Sequence, residues 1–375
     1  MVFFSMNVPS SAPRSNIPDM PSVDDLLPYL RQIDENRWYS NFGPLAQTFE
    51  TRFAQRMEKA HKLPDKTLSC VGLASGYQAL TIGLRLLGVV PNDKVLIPSV
   101  TFPACPLAAA PLGAEAILSD VDPQTWTLTP EIARQAASKM KLAAVMSVCV
   151  YGFPLPAEEW DAFSRETGVK VIIDAAAAVE AQKYPETCLV AHSLHALKPF
   201  GIGEGGLLVA RDPDLIQQAR ERINFGMKDH ITYQTGENAK MSEYHAAVGL
   251  AQLTRWEDIK KRRQKIYETY KLFFESLQDL TSIHPLLEKT IASSLMISLK
   301  EGNALEVFNR LQQQNVAVHH TYLPPLYEHP AFAGLEVTGK EGANEIKHKA
   351  LGLPFHAFLS DEEIGKIVQK LRESL

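Results

Sequence analysis

The sequence predicts an α/β protein, with a large domain built on a mostly parallel sheet flanked by helices and a smaller α+β domain at the C-terminus. Short apolar runs alternate with longer helical patterns through the first two thirds of the chain. The runs are continuously hydrophobic rather than alternating, as expected of strands covered on both faces. After about Leu253 the pattern changes to one long amphipathic stretch and a few short elements.

The expected strands are 68–73, 94–97, 116–120, 142–150, 169–174, 189–194 and 206–210, with helices between them such as 77–87, 130–139 and 157–167. Several runs end in small or polar residues, where ligands gather in sheets of this kind. Between 256 and 277, Trp256, Ile259, Ile266, Tyr270, Phe273 and Leu277 recur at near-helical spacing and predict one long helix. A strand at 295–299, a helix at 304–313, a Pro-rich loop at 323–329 and a last helix at 361–371 complete the smaller domain. The expected division is an N-terminal arm at 1–25, a large domain at 26–255 and a small domain at 256–375.

A charged fraction of 22% and a net charge of −5 give no reason to expect a nucleic acid or an anionic membrane as partner. No apolar run approaches the roughly 20 residues that span a bilayer. Residues 1–19 lack a basic start followed by an apolar core, so no secretory signal is expected. Their Ser/Pro content suggests a flexible or draped arm. Cys70, Cys105, Cys149 and Cys188 form no C-x-x-C pair, which predicts buried reduced thiols and a cytoplasmic protein. The basic run from Lys260 to Lys265 has Glu257 and Asp258 beside it and predicts a solvated helix face. No metal site is singled out.

Four strand ends carry the candidate chemistry. The run 169–174 ends in Asp174 followed by small residues; by itself this could be a helix cap or turn. Twenty-four residues on (198 − 174), Ser193 leads into Lys198 and a loop containing Gly201, Gly203, Gly205 and Gly206. Glycine there lets backbone approach a ligand closely, although a plain turn would also use it. Upstream, Gly72 to Leu80 reads as strand, tight turn and helix start, an anion site in principle, with Ser75-Gly76-Tyr77 at the turn. Pro98 to Phe102 is another strand-to-loop junction. Pyridoxal phosphate (PLP) chemistry would call on such parts, namely a lysine for the Schiff base, a carboxylate for the pyridine nitrogen, an aromatic cover and N–H groups for the phosphate. Taken singly, each has a plain structural reading, Phe102 as a core residue and the 72–80 turn as an ordinary strand–helix turn.

In this order the segments resemble the DegT/StrS family of PLP-dependent nucleotide-sugar aminotransferases. The resemblance starts at Arg37-Trp38-Tyr39-Ser40-Asn41-Phe42-Gly43-Pro44-Leu45 and runs through Ser75-Gly76, Pro98–Phe102, Asp120–Pro123, Tyr151-Gly152, Asp174-Ala175-Ala176 and Ser193–Gly206. It continues in Asn238-Ala239-Lys240-Met241-Ser242-Glu243, Tyr322–Leu326 and Leu353–His356. It implies an aspartate-aminotransferase-like fold. It also implies Lys198 as Schiff-base lysine and proton shuttle, Asp174 on the pyridinium nitrogen, and Phe102 stacked on the ring. The phosphate would be held by Ser193 and the backbone of Gly76 and Tyr77. Asn238 would reach the phosphate of a neighbouring subunit, making a homodimer with shared active sites. The amino donor would be L-glutamate and the acceptor a keto group on a nucleotide-linked deoxysugar, touched by Tyr39, Ser40, Asn41 and Tyr322.

Four positions depart from the family pattern. Ala177 stands where a Gln or His usually contacts the cofactor's phenolic oxygen, and another donor is expected to compensate. Tyr77 replaces a hydroxyl residue, Lys240 an Arg, and Cys149 a His. Sugar deoxygenation would need His in place of Lys198, and cysteine desulfuration a mobile loop thiol. The competing non-enzymatic expectation is a PLP-binding sensor that has lost catalysis, which Ala177 and Tyr77 favour.

Overall fold

The computed structural model describes residues 14–291 and 293–375, so residues 1–13 of the expected arm lie outside the described residues. Seven short strands form the central sheet: β1 (Ser69–Leu73), β2 (Lys94–Pro98), β3 (Glu115–Ser119), β4 (Ala144–Val148), β5 (Lys170–Asp174), β6 (Leu189–Ser193) and β7 (Gly206–Ala210). Their spatial order is β1-β7-β6-β5-β4-β2-β3. β2 pairs in parallel with β3 and β4, and β5 with β4 and β6. β7 runs antiparallel between β1 and β6. The other six strands therefore share one direction, and their C-terminal ends share one edge.

Helices supply both layers: α1 (Val23–Asn36), α2 (Pro44–His61), α3 (Gly76–Leu86), α4 (Ala104–Ala109), α5 (Pro130–Lys139), α6 (Ala157–Thr167), α7 (Pro213–Arg222) and the long α8 (Glu243–Phe274). Successive strand residues point to opposite faces, so Val95 and Ile97 enter one buried cluster and Leu96 the other. Ile172 likewise lies opposite Val171 and Ile173. Each such side chain removed from water contributes about 1.5–3 kcal/mol, which is why continuous apolar runs read as strands here.

After α7 a two-stranded ribbon, β8 (Met227–Lys228) and β9 (Ile231–Thr232), leaves the body of the sheet. The C-terminal part holds β10 (Thr281–Ile283), β11 (Leu295–Leu299), α9 (Ala304–Gln313), α10 (Glu341–Lys349), β12 (Ala350–Leu353) and α11 (Asp361–Ser374). Its three strands form a small antiparallel sheet. α8 starts earlier than its periodicity predicted. The expected boundary at 255/256 falls inside this helix, which packs on α2 in the large domain and on α11 in the small one.

The described part of the arm is docked, with α1 beginning inside the expected arm range. Phe355 N–H donates to Ser15 O (2.8 Å), Asn16 Nδ2 to Leu197 O (2.9 Å), and the Asp19 carboxylate pairs with Arg255 and Arg262. The basic run on α8 differs from the solvated face expected of it. Arg262 is tied to Asp19, Lys260 to Glu180, and buried Arg263 lies over the Phe355 ring at 5.3 Å.

Candidate active site

Asp174 closes β5 and is 6% exposed. Its backbone is fixed from both sides: its carbonyl accepts from Cys149 N–H (2.8 Å), and the next residue, Ala175, donates its N–H to Ala191 O (2.8 Å). Oδ1 accepts from Ala176 N–H at 2.9 Å, and Oδ2 lies 3.3 Å from the Cys105 thiol. Burial pushes the carboxyl up from its ordinary range, while the Ala176 N–H, the Cys105 thiol and the Lys198 charge pull it down. Beneath it, His192 donates Nδ1–H to Ala175 O (3.0 Å), so its Nε2 accepts from Tyr184 O–H (2.9 Å). Burial lowers this imidazole to about 4, and it is neutral at pH 7.

Lys198 follows β6 in a closed loop. Leu194 N–H donates to Gly205 O (2.9 Å), Ala196 N–H to Gly203 O (2.8 Å) and Lys198 N–H to His195 O (2.8 Å). Gly203 has φ +102°, and a Cβ at Gly201 would lie 2.5 Å from Ala196 O, so both glycines are required for this turn. Lys198 is half-buried. Its charge acts on Asp174 and Tyr322 alike, whereas burial pushes the Tyr322 phenol up.

Across from β6, Ser75 caps α3 by accepting from Gln78 N–H (3.2 Å). The next residue, Gly76, packs so closely on Ser193 that a Cβ would fall 2.7 Å from the serine Cβ. The first-turn N–H groups of α3, those of Gly76 and Tyr77 among them, have no partner inside the helix. They open beside the Ser193 hydroxyl, and this is the donor set a phosphate needs. Phe102 is 43% exposed at the end of the β2 loop. These parts fit PLP: a glycine-lined cradle at a helix start, a buried carboxylate, an exposed aromatic face and a lysine at neighbouring strand ends.

The remaining expected residues are placed differently. Tyr39 stacks on Tyr244 (6.2 Å between centroids) and is half-exposed; the Ser40 carbonyl accepts from Trp38 Nε1 at 2.5 Å, and Asn41 has φ +60°. Asn238 is exposed, its carboxamide oxygen held by Lys240 Nζ at 2.9 Å. Within the chain, neither Tyr39 to Asn41 nor Asn238 hydrogen-bonds to Asp174, Ser193 or Lys198. Tyr322, at φ +69°, packs its ring 4.9 Å from Tyr151, whose hydroxyl donates to Thr321 O (2.6 Å). Tyr77 sends its hydroxyl to Leu107 O at 3.3 Å, and the Cys149 thiol donates to Gln182 Oε1 at 3.2 Å. Ala177 is buried and offers no side-chain donor.

Sequence reading missed Thr101, Cys105 and Glu243. The first two are separated from Asp174 in sequence, and a thiol within an apolar run gives no signal. Glu243 accepts from Leu45 N–H (2.8 Å) and Ala46 N–H (2.9 Å), so it caps α2 and joins the 37–45 loop to the start of α8. The two segments lie 198 residues apart, and nothing in the sequence of either shows that they meet.

The seven-stranded, mostly parallel sheet flanked by helices is the architecture of the PLP-dependent aminotransferases. A family model for the DegT/DnrJ/EryC1/StrS aminotransferase family matches residues 22–372, and the chain belongs to that family. It is a PLP-dependent aminotransferase. Protein Rv3402c of Mycobacterium tuberculosis H37Rv is 29% identical, over 95% of this chain and 89% of its own. The dTDP-4-amino-4,6-dideoxy-D-glucose transaminase of Shigella dysenteriae is 27% identical, over 95% and 97%. Among solved structures, a candidate PLP-dependent aminotransferase of Bacillus cereus ATCC 10987 superimposes with a TM-score of 0.89 at 26% identity, covering 96% of this chain and all of that one.

Proposed function

We propose that this protein moves an amino group from L-glutamate to a keto group of a nucleotide-linked deoxysugar, with Lys198 as the covalent anchor of PLP. The observation that carries the reading is that Asp174 ends β5, Ser193 ends the neighbouring β6 with Lys198 in the loop after it, and Gly76 at the start of α3 packs on Ser193; the Shigella relative's name supports the sugar class. PLP supplies an electron sink for the carbanion formed at the donor's α-carbon. Asp174 holds a proton on the ring nitrogen. Ser193 and the N–H groups of Gly76 and Tyr77 bind the phosphate, and Phe102 covers the ring. Lys198 Nζ would hold PLP covalently and, when free, would serve as the base that takes the proton from the donor's α-carbon.

Tyr39, Ser40, Asn41 and Tyr322 line the approach of the nucleotide sugar in this reading. Asn238 acts on a neighbouring copy in a cytoplasmic homodimer. Tyr39 and Tyr244, exposed and stacked at 6.2 Å beside exposed Trp38 in sequence, support such a partner, since adjoining exposed apolar side chains mark contact surfaces.

The test is the visible spectrum of the purified protein with and without L-glutamate, beside Lys198→Ala. A yellow band that bleaches with glutamate, and is missing from the variant, is the expected result. A colourless protein that takes up no PLP overturns the reading. Protein that binds PLP yet responds to no amino donor would instead be the non-catalytic sensor.

A further inference from the structure

The turn that presents Phe102 also presents Cys105. Cys105 N–H donates to Phe102 O at 3.1 Å, and Cys105 starts the buried side of the short helix α4. Its thiol lies 3.3 Å from Asp174 Oδ2 and 3.1 Å from Thr101 Oγ1. Thr101, Cys105 and Asp174 are all buried, the first two almost completely. An ionised carboxylate only accepts. The sulfur must therefore donate its proton to Oδ2, which leaves the Thr101 hydroxyl to donate to sulfur. The direction of the chain is thus Thr101 O–H to Cys105 S–H to Asp174.

We propose that Cys105 is a positioning residue for the reaction, one that fixes the rotation of the Asp174 carboxylate against the cofactor's ring nitrogen. The inference rests on the PLP reading given above. Ala176 N–H holds Oδ1 and the thiol holds Oδ2, so the carboxylate plane has two separate restraints. A thiol is a weak donor, so it orients Oδ2 while leaving that oxygen most of its capacity to accept the ring N–H. A hydroxyl at hydrogen-bonding distance would draw off more of it. Burial and the nearby Asp174 charge push the thiol well above its ordinary range, so it remains an S–H donor at neutral pH. The other titratable groups felt at this carboxylate are Lys198, Tyr322 and Cys149, on the β6 loop, the 320–325 loop and the end of β4. Because one turn carries both Phe102 and Cys105, ring cover and ring-nitrogen partner are set by a single backbone segment.

The experiment compares wild type, Cys105→Ala, Cys105→Ser and Thr101→Val. Two quantities are read: the PLP dissociation constant by titrating apo protein, and the pH midpoint of the visible band of lysine-bound PLP. Cys105→Ala is expected to weaken PLP binding roughly fivefold to tenfold and to move the midpoint. Cys105→Ser should recover part of both, and Thr101→Val should shift both in the same direction by less. If Cys105→Ala fails to fold, Thr101→Val alone decides, because it removes the anchoring hydroxyl with little change of shape. Variants that fold and keep wild-type affinity and midpoint overturn the inference while leaving the PLP reading intact. A wild type with no band that Lys198→Ala abolishes overturns both.

Discussion

The ends of β5 and β6 and the loops at 37–42 and 320–325 are built in opposite ways. At the strand ends, backbone hydrogen bonds on either side of Asp174 and across the Lys198 loop leave each side chain little freedom. In the loops, Asn41, Phe42 and Tyr322 all sit at positive φ, and Tyr39 is half-exposed. The residues proposed to carry the chemistry, Asp174 and Ser193, sit on strand ends, with Lys198 in the hydrogen-bonded loop that follows β6. The residues proposed to meet the sugar sit on segments that can vary without disturbing the sheet.

The sharpest break in that comparison would come from Lys198→Ala. Loss of anchor and proton shuttle together should lower turnover by about 10³-fold or more, measured as amino transfer from L-glutamate. Turnover within tenfold of wild type would mean that strand-end rigidity serves some other purpose.

Asp174→Asn should cost roughly 10²–10³-fold in turnover yet raise the melting temperature of the apo protein at neutral pH. The sign follows from burial. The folded-state carboxyl is raised above its unfolded value, so the folded chain binds the proton more readily and the ionised form costs stability at high pH. The advantage of the Asn variant should therefore be present at neutral pH and fade as pH falls through the raised value into the ordinary carboxylate range. Melting curves of both apo proteins against pH test this. A lower melting temperature for the variant at neutral pH would show that the bonds from Ala176 and Cys105 outweigh desolvation.

On the loop side, Glu243 ties the 37–42 segment to the start of α8: its carboxylate caps α2 directly after that loop, while its own N–H donates to Tyr39 O (3.1 Å). Glu243→Ala leaves two buried N–H groups without partners and should cost about 1–3 kcal/mol. Denaturant unfolding of the apo protein reads the loss. An unchanged midpoint would mean that water replaces the carboxylate and that the loop is less tightly tied than its geometry indicates.

The same contrast explains what the sequence could show. Seven buried strands announced themselves because each is apolar on both faces, and α5, α6 and α9 match their predicted ranges because one apolar stripe defines each. α1 went unread because it buries little beyond Ile33. The first half of α8 went unread because Ala246, Ala247, Gly249 and Ala251 are small and buried, which blurs the amphipathic stripe. Chain order marks Lys198, Asp174, Ser193 and Phe102 as candidates, and the structure sets Asp174 and Ser193 at the ends of the neighbouring strands β5 and β6. The Cys105–Asp174 contact spans 69 residues and Glu243 to Leu45 spans 198, distances at which only the fold brings partners together.

The smallest expected effect belongs to the loop side. Tyr39→Ala removes an exposed ring stacked on Tyr244 and touches no strand-end residue. Uniform binding lost from a remote part of a substrate raises KM and leaves kcat in place. The variant should therefore show a several-fold higher KM for the nucleotide sugar, an unchanged KM for glutamate and kcat near wild type. Steady-state kinetics with each substrate varied in turn separates the cases. A fall in kcat with both KM values unchanged would place Tyr39 on the chemical side of the divide, and the separation between rigid strand ends and adaptable loops would no longer hold at this position.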